Sequence, residues 1–450
     1  MIRNRRSGQG NAGRRGLALA LLSLSLAGCA ALPAPDGMEA ALIERAEGLA
    51  PLAPAEGRDA KSAARNGLLL NPAVREAASR VSASADEVRV QRAVLFPALG
   101  LTAGGGIGAA GKGKPVAELT GSQLLFDGGK SKRAVRIADF DMQISYVGFQ
   151  KEVDEALIAL LETYDDVQTQ SDLLGVYRKQ FEALQALEQR VAARAASGAV
   201  SSTDVLETRR RLQSAAFLVN DTELALAETR DRLTLLSGQS RGGSIDIAAP
   251  SCKPAGATDD VLLARLELGR AQLAQEQAQN AMTPRVVLKP VVRGEIGTDT
   301  LPVGLNLDVQ SDLLKGGALG ARVRAAGNTL AAARARVEAA DLEGSIEERA
   351  LLRSLAAGKQ KRALLHRQIA LLSETRDLYR SQYLDLGTRQ LSELLDNEEE
   401  YYTRKAELVQ LRSELARSQL QCARRSGHLR STLGLEGTRL YGYPLGDTRF

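Results

Sequence analysis

Two long windows without proline constrain the fold of this 450-residue chain more than any other feature. None of its 13 prolines lies between Val116 and Ala249 or between Val303 and Tyr443. Because proline costs ~3 kcal/mol in a helix interior, both windows favour unbroken helix. A helix of about seventy residues would be a rod of roughly 100 Å. The sequence therefore predicts two helices far longer than those of an ordinary globular domain.

The apolar pattern of the first window supports a helix. Its apolar residues follow one another at alternating steps of four and three positions: Val153, Leu157, Leu160, Tyr164 and Val167. This spacing is typical of a narrow coiled-coil seam, which is too thin to bury a helix in a globular core. A long structural coiled coil is the simpler interpretation of the periodicity alone.

The chain repeats one layout twice. Each half is predicted to contain a helix, two strands, a long helix and a returning helix. Three pairs of residues mark the repeat at offsets of 187 to 189 positions: Pro97 with Pro284, Gly128 with Gly316, and Gly198 with Gly387. Because the offset changes by only two positions, it indicates an internal duplication.

The four predicted strands cannot form a complete structure within one chain. In the last strand, apolar residues from Val303 to Val309 alternate with polar or small ones, which is the period-2 pattern of a two-faced strand. Membranes tolerate no open sheet edge, and the smallest transmembrane barrels use about eight strands. Several copies are therefore expected to pool their strands. The strands are predicted at Ala98–Ile107, Val116–Phe126, Val286–Ile296 and Leu301–Val309.

The N-terminus has the features of an export signal. An arginine-rich start precedes an apolar run from Leu17 to Leu26, which is too short to serve as a stable membrane anchor. Leu26-Ala27-Gly28-Cys29 resembles a bacterial lipobox, so Cys29 is predicted to carry a lipid; an ordinary signal peptide is the alternative. The predicted segments are a signal peptide over 1–28, a tether over 29–65, a first repeat over 66–238, a linker over 239–258, a second repeat over 259–437 and a C-terminal tail over 438–450.

Charge and residue pattern argue against several functions. The formal net charge is +5, and five arginines lie before Cys29, so the rest of the chain is balanced and a nucleic-acid partner has no support. His366 and His428 are isolated, without a ligand-spaced partner. We therefore expect no metal, no catalytic residue and no enzyme activity, and no cofactor apart from the lipid on Cys29.

Three motifs carry a resemblance to a known family. Phe126-Asp127-Gly128-Gly129 resembles its strand-to-helix junction, and the segments 198–205 and 387–396 resemble its two periplasmic tips. Over residues 60–437 the chain resembles the TolC family of outer-membrane efflux proteins. The resemblance implies a mainly α fold with a small β portion. It also implies a homotrimer with a shared 12-stranded β-barrel above an α-helical tunnel that opens like an iris.

The resemblance also assigns a gate. Glu393 and Asp396 align with acidic rings at the closed end of the tunnel, and their i, i+3 spacing places both on one helix face. Packed around a threefold axis, such carboxylates would raise one another's pKa values and attract cations. The alternative is a solvated acidic face together with Glu398, Glu399 and Glu400.

A latch and two docking tips follow from the same alignment. Arg389 aligns with the family's latch residue, with Asp204 and Thr203 as its partners on the other hairpin. An exposed pair contributes about 0.2–1 kcal/mol, which suits a contact that must release; a plain surface arginine is the alternative. The tips at Gly198 and Gly387 are expected to dock a periplasmic adaptor.

Two cysteines remain after lipidation, Cys252 and Cys422. An exported compartment permits a disulfide. In the family's layout both residues lie near mid-height, where they could meet. Two separate buried thiols are the alternative.

The expected function is a passive duct in the cell outer membrane, anchored by lipid and extending into the periplasm. An inner-membrane pump, either an ABC transporter or a proton-driven pump, would supply energy through the adaptor. The second tip, with Leu391, Leu394, Leu395 and Asn397-Glu398, favours type I protein secretion. Small-molecule or multidrug efflux is the alternative, and a non-channel periplasmic coiled-coil scaffold lipoprotein is the alternative of another class.

Overall fold

A computed structural model describes residues 37–104, 107–108, 111–112, 116–245, 247, 251–254, 256–295, 302–311 and 317–446. The predicted signal peptide over 1–28, the lipidation of Cys29 and Gly316 lie outside these residues. The chain divides into two compact units. One unit contains residues up to 41, 85–139 and 276–319, and the other contains 42–84, 140–275 and 320–450.

Helices dominate the described chain, as predicted, and their order follows the duplicated layout. The longest helix, α4, has 67 residues, and α7 has 64. In the described part of the chain, no helix is both long and apolar enough to cross a membrane. The helices are α1 Met38–Glu47, α2 Ala60–Leu70, α3 Pro72–Ala93, α4 Lys130–Ala196, α5 Ser202–Ser237, α6 Asp259–Gln279, α7 Ala318–Ser381 with a π-helical turn Gln382–Leu386, α8 Leu391–Arg425 and α9 Leu429–Thr432.

The strands form three small sheets. The largest is antiparallel, with the order β2-β5-β6-β7, so strands from both repeats lie side by side. Within the described chain, β2 and β7 each pair on one side only. The strands are β1 Ala50–Pro51, β2 Ala98–Gly104, β3 Ile107–Gly108, β4 Gly111–Lys112, β5 Val116–Phe126, β6 Arg285–Glu295, β7 Val303–Gln310, β8 Thr438–Leu440 and β9 Tyr443–Pro444.

An apolar row crosses the large sheet. The register pairs Leu101 with Leu119, Leu119 with Val292, and Val292 with Val303, so the four side chains share one face. The predicted apolar residues of β7 are all between 60% and 74% exposed: Val303, Leu305, Leu307 and Val309. The single chain therefore leaves this apolar face uncovered.

The junction between β5 and α4 is built from the FDGG motif. Gly128 and Gly129 have positive φ angles of 65° and 78°. A Cβ atom at Gly128 would lie 2.2 Å from Cγ2 of Thr283, so no larger residue fits without movement. The Asp127 carboxylate accepts hydrogen bonds from the backbone N–H groups of Gly129 and Ser131 at 2.9 and 2.7 Å. These bonds satisfy donors that the first helical turn leaves free.

Segments near both ends of the described residues contain secondary structure that the sequence did not indicate. The expected tether contains α1, whose Met38 side chain is buried, and strand β1. Strand β1 pairs with β8, and β8 pairs with β9, so residues of the expected C-terminal tail form a small sheet with β1. Strands of two or three residues carry no periodic signal in the sequence.

Buried polar contacts hold the C-terminal segment on α4. Arg430 is buried, and its guanidinium donates to Asp154 Oδ1 at 2.7 Å and to the Gln150 carbonyl at 2.7 Å. Gln150 Nε2 in turn donates to the Pro444 carbonyl at 2.8 Å. A buried charge with this many partners is costly to disrupt.

Cys252 and Cys422 form a disulfide that joins the linker to α8. Their Cα atoms lie 4.3 Å apart, although the residues are 170 positions apart in sequence. Both side chains are buried. The crosslink therefore closes a long loop between two elements that local sequence does not hold together.

Replacing both cysteines with serine should lower the free energy of unfolding by about 2–5 kcal/mol, because the crosslink restricts the unfolded chain. Denaturant unfolding without reductant, followed by circular dichroism, measures the difference. As a control, wild-type protein that is denatured without reductant should show no free thiol. Two reactive thiols in that sample would contradict the bond.

Candidate functional site

The first predicted tip is a tight connection between α4 and α5. Gly198 has a positive φ of 76° and ends the turn after α4. Ser201 and Asp204 then form a capping box. The Ser201 hydroxyl accepts from the Asp204 N–H, and the Asp204 carboxylate accepts from the Ser201 N–H, both at 3.2 Å. This reciprocal pair starts α5 four residues after the glycine.

The second tip is irregular. Helix α7 ends in the π-helical turn Gln382–Leu386, and Gly387 closes it with a φ of 65°. Arg194, in the last turn of α4, donates from Nη1 to the carbonyls of Tyr383 and Leu384 at 2.8 and 2.6 Å. The first hairpin therefore holds the irregular turn of the second. Sequence reasoning missed Arg194, whose local signal was only a basic residue near a helix C-terminus.

An apolar cluster joins the two tips. It draws side chains from α4, α5, the π-helical turn and α8, and each is buried. The leucines that favoured type I secretion belong to this core, so they pack the tip instead of presenting a surface to a partner. The cluster consists of Leu184, Leu187, Val191, Ala215, Tyr383, Leu391, Leu394 and Leu395.

The two predicted gate carboxylates lie exposed near the start of α8, and each has a cationic partner. Glu393 Oε2 is 3.0 Å from Arg389 Nε, and Asp396 Oδ1 is 2.9 Å from Arg211 Nη2. Exposed ion pairs of this kind contribute at most about 1 kcal/mol, so they can exchange partners easily. The acidic ring between copies remains a prediction.

Arg211 connects α5 to α8. Besides Asp396, it pairs with Glu399 on α8 and with Glu207 on its own helix at 3.1 Å. Hydrogen bonds from Arg210 and Arg211 lower the pKa of Glu207 to about 2. Arg211 therefore gathers carboxylates of both hairpins, a role that the sequence alone did not indicate.

The predicted latch is not formed within this chain. Arg389 stacks over the ring of Tyr379, with 3.7 Å between its guanidinium carbon and the ring centroid, and pairs with Glu393. Asp204 is engaged in the capping box, and Thr203 is exposed in the same turn. Arg389 pairs with Glu393, four residues away, and Asp204 pairs with Ser201, three residues away, so each is engaged within its own hairpin. A contact between Arg389 and Asp204 is therefore absent from the described chain.

The alternative interpretation of the gate placed Glu398 on a solvated acidic face, and the structure does not support it for this residue. The residue is only 1% exposed, while Glu399 and Glu400 are exposed. Arg380 Nη2 donates to Glu398 Oε1 at 2.5 Å, and Arg376 Nε lies 3.9 Å from the same oxygen. Oε2 has no hydrogen-bond partner. Burial raises the pKa of Glu398 above its ordinary value of 4.5.

Comparison with known proteins finds a match to one family. Residues 64–239 match the model of the outer membrane efflux protein family. The probable outer membrane lipoprotein SilC of Salmonella typhimurium is 27% identical over 175 residues. That alignment covers 36% of this chain and 36% of SilC, so it spans about a third of the curated relative.

Solved structures share the fold of this chain. The outer membrane protein VceC of Vibrio cholerae superposes with a TM-score of 0.73 at 16% identity, over 83% of this chain and 96% of VceC. The CmeC outer membrane channel of Campylobacter jejuni gives 0.74 at 13% identity, over 87% and 88% of the two chains. These likenesses extend the outer membrane efflux fold over both repeats, well beyond the segment matched by the family model.

The pH dependence of stability should differ between the wild-type protein and Glu398→Gln. The folded state binds the Glu398 proton more tightly than the unfolded state. The contribution of this carboxyl to stability therefore falls as the pH rises from 4.5, the ordinary pKa, to the raised pKa of the folded state. Glutamine has no proton to lose and retains an acceptor for Arg380. The difference should amount to about 1.4 kcal/mol for each unit by which the pKa is raised.

Thermal unfolding of the helices from about pH 4 to about pH 8 measures this difference. The exposed neighbour provides the control, since Glu400→Gln should keep the wild-type profile. Superimposable profiles of wild type and Glu398→Gln would contradict the role of burial.

Proposed function

We propose that this protein is the outer-membrane duct of a tripartite export system, working as a homotrimer. One observation carries the proposal: in the described chain, β2 and β7 each lack a partner on the outer edge of the sheet. The apolar row through Leu101, Leu119, Val292 and Val303 is exposed at these two edge strands and partly buried between them. In lipid, unpaired edges must be satisfied, and sister copies that pool their sheets would close a 12-stranded barrel. The outer membrane efflux family supports this location.

The helical hairpins would form the wall of a tunnel in the periplasm. A passive duct needs no catalytic group, and its energy would come from an inner-membrane pump through a periplasmic adaptor. We propose that the adaptor docks at the tips around Gly198 and Gly387. A lipid on Cys29 would anchor the chain to the outer membrane.

Two classes of cargo are candidates. Type I protein secretion remains the first candidate from the resemblance of the second tip. Its support is weaker than the sequence indicated, because Leu391, Leu394 and Leu395 are buried in the tip core. Small-molecule efflux is the second candidate, favoured by the description of the matching family as efflux proteins.

Purified protein in a planar bilayer should conduct, with a preference for cations if the gate carboxylates line the passage. Replacing Glu393 and Asp396 with alanine should enlarge the current or weaken the cation preference, because Arg389 and Arg211 lose their exposed partners. Glu400→Ala is the matched control, since Glu400 is another exposed acid of α8 with its own arginine, Arg404, at 3.6 Å.

The absence of any conductance in the wild type would favour the scaffold alternative. A second measurement separates the two classes. With Cys29 replaced by serine, a barrel trimer would still need detergent for extraction from membranes, whereas a tethered scaffold would be released into buffer.

Deleting the protein should stop export of one cargo class, and two assays on the same strain decide which. Loss of a secreted protein from the medium with unchanged drug sensitivity supports type I secretion. Raised sensitivity to small toxic compounds with unchanged secretion supports efflux. Complementation with the wild-type chain should restore the affected function.

A further inference from the structure

A small cleft near the tips is lined by three arginines from two helices. It measures about 150 Å³ and lies between α4, α7 and α8. Its polar lining residues are Arg190, Arg376, Arg380 and Tyr402. The apolar residues are Ala183, Ala186, Leu187 and Leu384.

The positive charges of this cleft are not balanced by the chain itself. Arg380 is hydrogen-bonded to the buried carboxylate of Glu398. Arg376 reaches Asp377 and Glu398 only at 3.7 and 3.9 Å, and its buried Nε has no hydrogen-bond acceptor. Within the described parts of the chain, no acceptor or carboxylate pairs with Arg190. In the described chain, the three guanidinium groups of the cleft therefore have two carboxylate partners, Asp377 and Glu398.

Like charges that are brought together raise the free energy of the fold unless an anion joins them. Guanidinium groups present several N–H donors in a planar fork that matches carboxylate and phosphate oxygens. The leucines that line the cleft, Leu187 and Leu384, reduce the local dielectric constant, which strengthens a charge interaction inside it.

We propose that the cleft formed by Arg190, Arg376 and Arg380 binds a small oxyanion, of the phosphate or carboxylate class. The bound anion bridges the first hairpin, which supplies Arg190, to the second hairpin, which supplies Arg376 and Arg380. It competes with Glu398 for Arg380. The site is separate from the exposed carboxylates Glu393 and Asp396, and it does not depend on the identity of the exported cargo.

Isothermal titration of the full-length protein in detergent with inorganic phosphate tests the site, with sodium chloride adjusted to keep ionic strength constant. The wild type should bind phosphate saturably, with one site per chain. Arg190→Gln should weaken binding by about tenfold or more, because it removes one charge-assisted contact. Arg190 is exposed and holds no other element in place, so this variant should keep the fold, as circular dichroism will verify.

Lys179→Gln is the matched control. Lys179 is an exposed cation about three turns earlier on α4, so its loss removes the same charge without touching the cleft, and phosphate affinity should not change. Glu398→Gln should tighten phosphate binding, because it removes the carboxylate that competes for Arg380. Absence of saturable binding by the wild type, or equal weakening by Arg190→Gln and Lys179→Gln, would overturn the proposal.

Discussion

Every peptide group that leaves water needs a hydrogen-bond partner, and the helices and the large sheet of this molecule meet that requirement in different ways. In the long helices α4 and α7 each peptide finds its partner one turn away, so length adds no unpaired group except at the ends. The sheet cannot do this, because β2 and β7 each pair on one side only in the described chain. The proposed trimer, and with it the proposed duct, depends on this incomplete sheet.

Specific side-chain contacts stabilise the ends of several helices. Asp127 caps the start of α4, Ser201 and Asp204 cap α5, and Arg194 binds the carbonyls of the π-helical turn. Each contact satisfies groups that a helix end leaves free. The tips are thus rigid in their core and weakly paired at their surface, where Glu393 and Asp396 take part in exposed ion pairs. That combination suits a tip that keeps its fold while its surface contacts exchange.

The sequence predicted the helices and strands more accurately than the contacts of the tip residues. The bounds of β5 were predicted to the residue, and α4 lies within the first proline-free window, because proline exclusion and apolar periodicity are local signals. The alternative of a solvated acidic face does not hold for Glu398, because this part of α8 carries Glu399 and Glu400, which are exposed, and Glu398, which is hydrogen-bonded to Arg380. The predicted latch placed Arg389 opposite Asp204, whereas each finds a partner within four residues.

The amino-acid sequence by itself determined the duplicated layout, the length of the helices and the position of the strands, because these follow from spacings within a few turns. Only the tertiary structure decided which distant groups meet. Arg194 contacts Tyr383 across 189 positions, and Cys252 reaches Cys422 across 170. The burial of Glu398 and the cleft lined by three arginines also depend on contacts between distant segments. A helix follows from a local pattern in the sequence. The partner of a side chain is instead set by packing between segments that are far apart in sequence, and no local pattern indicates which segments will pack together.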